Sequence, residues 1–143
     1  MVSNSDAIPK MKSQFTMITR ANYSNPPAHG ARIAASIMNN KALFDEWKDN
    51  LKTMANRMFA MRQLLHQKLK ALGTPGNWDH VLNSMGLFCF TGLNERQCNH
   101  LIREYHIYLL RDGRINVLAL TTGNCDYVAH AIYDVVTNIK SFL

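Results

Sequence analysis

No run of apolar residues in this chain approaches the length needed to span a bilayer. Cysteine is scarce. Cys89, Cys98 and Cys125 are three in number and have no metal-ligand spacing. An odd count argues against a disulfide framework and points to a reduced, intracellular compartment. The opening residues Met1-Val2-Ser3-Asn4-Ser5-Asp6 lack the basic and apolar regions of a secretory signal and are not Arg-rich, so no leader is expected there. There is no internal repeat and no low-complexity segment. G-x-S-x-G, a phosphate-binding glycine loop, a Cys/His nucleophile arrangement and H-x-x-x-H are all missing, which excludes the common local signatures of hydrolases, nucleotide binders and zinc enzymes. His29, His66, His80, His100, His106 and His130 therefore read as ordinary surface or half-buried histidines, with no metal site expected. The net charge of +6 is spread, with no basic block of five or more. That pattern suits a solvated surface better than a nucleic-acid groove.

What is present is periodicity. At 143 residues the chain suffices for one domain with a real core. Phe44, Trp47, Leu51, Met54, Met58, Met61, Leu65, Leu69 and Leu72 recur at steps of three or four. They predict one long helix from Lys41 to Leu72, about 45 Å at 1.5 Å per residue, stopped by Gly73 and Pro75. Its Met-rich stripe reads as core. A shorter helix is expected over Gly30–Met38 and a short strand over Phe15–Thr19. Trp78–Asn83 reads as a loop or short helix, and Gly86–Thr91 as a strand. Asn94 and Gln97 have capping-box spacing, before a helix on Cys98, Leu101, Ile102 and Tyr105. Asp112-Gly113 between Ile107–Leu110 and Arg114–Leu118 predicts a β-hairpin. A last helix carries Val128, Ala131, Ile132, Val135, Val136 and Ile139 on one face. The fold class expected is α/β, with an α+β small domain: a long connecting helix and a small, mostly antiparallel sheet covered by helices.

One segment breaks the pattern. Arg20-Ala21-Asn22-Tyr23-Ser24-Asn25-Pro26-Pro27 cannot continue as a helix through the proline pair. It is either a stiff connector or a rigid mount presenting Arg20, Ser24 and Asn25 to a ligand or another subunit. Arg114, directly after the Asp112-Gly113 turn, is either a surface arginine ending a hairpin or a grip for a carboxylate, which the guanidinium fork matches in two parallel hydrogen bonds. The residues alone leave both questions open.

Several blocks in order resemble one family. They are Tyr23-Ser24-Asn25-Pro26-Pro27-Ala28-His29-Gly30-Ala31-Arg32-Ile33, Lys52-Thr53-Met54-Ala55-Asn56-Arg57-Met58, Gly86-Leu87-Phe88-Cys89-Phe90-Thr91-Gly92-Leu93, His106-Ile107-Tyr108-Leu109-Leu110, Gly113-Arg114-Ile115-Asn116 and Leu120-Thr121-Thr122-Gly123-Asn124. Together they resemble the aspartate aminotransferases, pyridoxal-phosphate enzymes of fold type I. Thr74-Pro75-Gly76 and Ile107–Leu110 are closer to the cytosolic animal form, which implies a cytoplasmic location. The resemblance implies that Arg114 holds the substrate α-carboxylate. It implies that Arg20 holds the distal carboxylate in the active site of the neighbouring subunit of a homodimer. Phe88 is implied near the substrate, and Ser24 and Asn25 in a hydrogen-bond network at the subunit interface. The implied substrates are L-aspartate, L-glutamate, 2-oxoglutarate and oxaloacetate, with neither nucleic acid nor membrane as a partner.

The resemblance covers only the C-terminal part of the family's length. It implies a domain division into residues 1–40, the end of the large cofactor-binding domain, and 41–143, the long helix with the small domain. The family's Schiff-base lysine block is absent: Lys41, Lys68 and Lys140 do not match it. The expectation is a C-terminal fragment with no catalytic lysine of its own, inactive by itself. The alternative is a non-catalytic small-domain protein that pairs with a full-length subunit or binds dicarboxylates.

Overall fold

The computed structural model describes residues 5–139. The expectations placed on residues 1–4 and on Lys140 lie outside the described residues. The chain divides between Asp49 and Asn50 into two compact units.

The N-terminal unit carries α1 (Ala7–Tyr23), α2 (His29–Asn39) and the start of α3 (Lys41–Ala71). The strand expected over Phe15–Thr19 lies inside α1. Ile8, Met11, Phe15 and Ile18 already stand at helical steps of three and four, and that period outweighs the weak β-preference of a five-residue window. Pro9 is tolerated because the first-turn N–H groups have no intrahelical acceptor to lose. A single residue, Asn40, separates α2 from α3. Its backbone is extended, and its Oδ1 accepts the N–H groups of Ala42 (3.0 Å) and Leu43 (3.3 Å), so α3 starts on a proper cap. Neither α1 nor α2 contains a buried residue.

The C-terminal unit holds the core. Leu65 and Leu69 of α3 pack with Val81, Cys89, Leu101, Val117, Ile132 and Val135. The long helix predicted over Lys41–Leu72 forms over Lys41–Ala71, but its apolar stripe is buried only from Met61 onward; Trp47, Leu51 and Met54 are exposed. It ends as the sequence suggests. Gly73 takes φ 65°, Thr74 N–H bonds Leu69 O and Gly73 N–H bonds Lys70 O, both at 3.0 Å. That pairing is a Schellman stop.

After α3 come α4 (Asp79–Asn83), β1 (Phe88–Phe90), α5 (Glu95–Glu104), β2 (Arg114–Asn116), a 3-10 turn (Val117–Ala119) and α6 (Cys125–Asn138). The Asn94–Gln97 capping box is complete at 3.0 and 3.1 Å. The Gln97 amide also donates to Val135 O (3.2 Å) and Ile139 O (3.1 Å), so one buried side chain closes the start of α5 and the end of α6.

The expected hairpin is corrected. The Asp112-Gly113 turn forms, with Gly113 N–H on Leu110 O at 2.9 Å, but Ile107–Leu110 is not a strand. β2 pairs antiparallel with β1 instead, in the register Phe88↔Asn116, Cys89↔Ile115, Phe90↔Arg114. Thr91 enforces this choice. Its N–H (2.9 Å) and hydroxyl (2.7 Å) both bond Gly113 O, which ties the turn to the end of β1. The three cysteines are free and buried, and burial pushes the Cys98 and Cys125 thiols up, so they serve as packing groups rather than nucleophiles. Among the described residues, no helix is long and apolar enough to cross a membrane.

Candidate functional site: two arginine-bearing surfaces

The first surface is built on α1. Arg20 sits in its last turn, where a cation complements the exposed carbonyls of the helix end. Asn25 N–H then bonds Tyr23 O at 2.7 Å, and Ser24 between them has φ 63° and ψ −65°. This is a γ-turn with positive central φ, a strained shape for any residue but glycine, costing about 1–3 kcal/mol. It reverses the chain so that Ser24, Asn25 and Pro26 fold back beside Arg20. A cleft of about 630 Å³ results, floored by Ile8, Met11 and Phe15 and edged by Lys12, Thr16, Thr19, Arg20, Ser24 and Asn25. Those lining residues include two cations and no carboxylate. The structure thus brings together Arg20, Ser24 and Asn25, three residues that the sequence singled out.

The second surface is the outer face of the β1–β2 ribbon. Side chains alternate along a strand. Cys89 turns into the core, so Phe88 and Phe90 turn out, and Arg114 and Asn116 share their face. Phe90 is directly opposite Arg114, while Phe88 stands on the diagonal, opposite Asn116. Phe88, Phe90 and Arg114 are all exposed.

Three features here were not found from the sequence. Arg114 Nε lies 3.2 Å from Asp112 Oδ2, and Asp112 Oδ1 accepts the Arg114 backbone N–H at 3.1 Å. The signal was an aspartate two residues before the arginine, read only as turn chemistry. Arg62 is 3 % exposed and donates to Val81 O (2.9 Å), Gly86 O (2.7 Å) and Phe88 O (3.1 Å). It stands four residues after Met58 and so on the apolar stripe, where a charged residue is itself a signal. Arg57, five residues earlier, donates to Leu120 O at 2.9 Å and reaches Leu118 O at 3.4 Å. Two guanidiniums of α3 therefore hold the entry to β1 and the exit from β2, fixing the ribbon that carries Arg114. Glycine is required at 113, where a Cβ would lie 2.8 Å from Leu93 O and φ is 87°.

The histidines pair more than the sequence suggested. His66 Nε2 is 3.0 Å from Asp79, and His100 is 3.9 Å from Asp134. The Tyr105 hydroxyl, Asn138 and His100 hold the Asp134 carboxyl below its ordinary range, the tyrosine most strongly. Among the described residues, no three His, Cys, Asp or Glu side chains converge as a metal site.

Chemically, each surface can receive a carboxylate on a guanidinium. Comparison with known proteins gives the family. The family model described as aminotransferase class I and II matches residues 1–132. The cytoplasmic aspartate aminotransferase of Gallus gallus is 50% identical over 135 residues, which is 94% of this chain and 33% of that protein. The solved aspartate aminotransferase from Saccharomyces cerevisiae cytoplasm has a TM-score of 0.90 at 38% identity, covering 96% of this chain and 34% of its own. The aromatic-amino-acid aminotransferase of Burkholderia pseudomallei, solved covalently bound to pyridoxal phosphate, gives 0.92 at 37%, covering 95% and 34%. The chain spans about a third of the length of the relatives it matches.

Proposed function

The chain belongs to the class I and II aminotransferases, and from that premise we propose that it supplies the carboxylate grips of an aspartate aminotransferase. The reaction moves an amino group between L-aspartate and 2-oxoglutarate, giving oxaloacetate and L-glutamate. Arg114 holds the α-carboxylate, with Phe88 beside the substrate. Arg20 holds the distal carboxylate across the interface of a homodimer, with Ser24 and Asn25 in the network there. The setting is the cytoplasm. Residues 1–40 belong with the large domain, and 41–143 with the connecting helix and small domain. The observation that carries this reading is the collinear identity with aspartate aminotransferases along nearly the whole chain.

Pyridoxal phosphate would supply the electron sink for the chemistry. Among the described residues, the two surfaces do not make its cradle. The ribbon residues that carry Arg114 include no lysine to hold an aldehyde. Lys12 lines the first cleft without an acid among the lining residues to pair with a pyridine nitrogen. The chain's own groups act on the substrate side: they bind it, orient it and select for two negative charges.

The test is a chimera in which these 143 residues replace the matching third of the Gallus gallus enzyme. Transamination of aspartate is expected. Arg114→Ala should weaken every amino-acid substrate. Arg20→Ala should spare alanine and cost aspartate about 2–5 kcal/mol in kcat/KM. Equal losses for alanine and aspartate in the Arg20 variant would refute its assignment.

A further inference from the structure

We propose that Asp112 is a positioning residue for the Arg114 carboxylate grip, a resident counter-ion that aims the guanidinium and that every incoming carboxylate has to share. This rests on the reading of Arg114 as a grip. One carboxylate touches both ends of the same residue: Oδ1 takes the Arg114 backbone N–H at 3.1 Å, and Oδ2 takes Nε at 3.2 Å. The backbone bond fixes where the arginine leaves the turn. The Nε bond fixes which way its plane faces.

The rest of the turn is committed elsewhere, so this pairing is not one choice among several. Arg111, the other cation of the turn, lies 3.4 Å from Glu95. Gly113 between the partners is pinned against Leu93 and Thr91, where no side chain fits. That contact keeps the backbones of Asp112 and Arg114 close, so the two side chains stay within reach of each other.

The consequence for a ligand follows from the donor count. A guanidinium has five N–H groups. Asp112 takes the one on Nε and leaves the terminal pair free for a ligand carboxylate. It also cancels much of the charge the ligand is attracted to. Both side chains are half-exposed, 59% for Arg114 and 50% for Asp112, so water and salt reach the pair. The opposing effect is therefore modest, as for other exposed ion pairs. Asp112 trades affinity for aim.

The full chain, labelled with ¹⁵N-arginine, is titrated with succinate while the Arg114 Nε–H signal is followed. Asp112→Asn keeps an acceptor for the backbone N–H and removes the charge. It should bind succinate about two- to five-fold more tightly than wild type. The Nε–H signal should move in the free Asn variant, because its partner has changed. Sodium chloride at about 0.5 M should close the affinity gap, since the effect is electrostatic. A purely structural role would show no such salt dependence. Unchanged or weaker binding in Asp112→Asn, or a gap indifferent to salt, overturns the proposal. Arg114→Ala separates the two readings. If that variant binds succinate as wild type does, the grip itself is wrong and Asp112 falls with it. If it loses binding while Asp112→Asn is neutral, only the role of Asp112 falls.

Discussion

Replacing Arg62 tests whether the ribbon is held from behind. Its guanidinium is buried, has no carboxylate partner among the described residues and spends its hydrogen bonds on three carbonyls. In Arg62→Ala, the Val81 carbonyl is left buried and unpaired, which costs about 1–3 kcal/mol. The carbonyls of Gly86 and Phe88 are only partly buried and can rehydrate, so each loses roughly 0.5–1 kcal/mol. Two methylenes of packing, Cγ and Cδ, add about 0.8 kcal/mol each at full burial. Against these, the variant no longer strips water from a cation, which returns several kcal/mol. The net expected loss is about 2–4 kcal/mol, or roughly 10–25 °C of Tm for a unit of about 100 residues. Arg62→Met keeps the packing and, with the same return from not burying a cation, should lose about 0.5–2.5 kcal/mol. Arg62→Lys keeps the charge, but its one ammonium cannot span three acceptors. The assay is urea unfolding followed by the fluorescence of buried Trp78, in a Trp47→Phe background that silences the exposed tryptophan. A Met variant as stable as wild type would refute the reasoning, because it would show that three bonds to one buried guanidinium contribute nothing net.

Two further outcomes follow from the same unit. Gly113→Ala adds a Cβ 2.8 Å from Leu93 O at a φ of 87°; the expected loss is about 2–4 kcal/mol by urea unfolding, and a change within about 0.5 kcal/mol would contradict it. Asp134 is held below its ordinary value of 3.8 by Tyr105, Asn138 and His100. Its ionised form therefore favours the fold, a contribution present above 3.8 and lost as pH falls below it through the depressed folded value. Asp134→Asn should flatten the fall in urea midpoint between about pH 5 and pH 2, and an unchanged slope would count against the assignment.

Helices were legible in the sequence wherever the pattern was long. The Lys41–Ala71 helix, its Gly73 stop and the Asn94–Gln97 box could all be read from spacing, because each is a local device. Strand pairing was not. Asp112-Gly113 announces a turn but not a ladder, and the partner of β2 is chosen by Thr91, far away in sequence. Phe15–Thr19 reads as a strand only when its five residues are weighed without the helical period that runs on from Ile8. Of the site, the arginine in the Gly-Arg-Ile block and the proline mount stood out, but their neighbours did not. That Asp112 bridges Arg114, or that Arg62 and Arg57 brace the ribbon, depends on side-chain placement that sequence does not spell out.

The ribbon has three residue pairs and no more. A strand alternates by twos, so a slip of one position would turn Cys89 outward and carry Arg114 toward the core. With so short a ladder, correct counting rests on anchors outside it: the Gly113 carbonyl on Thr91, the carbonyls held by Arg62, and those held by Arg57. This surface can therefore exchange side chains freely while tolerating neither insertion nor deletion between its anchors. Relatives that diverge in what they grip should do so by substitution on the outer face, with the spacing from Thr91 back to Phe88 and from Gly113 on to Asn116 left intact.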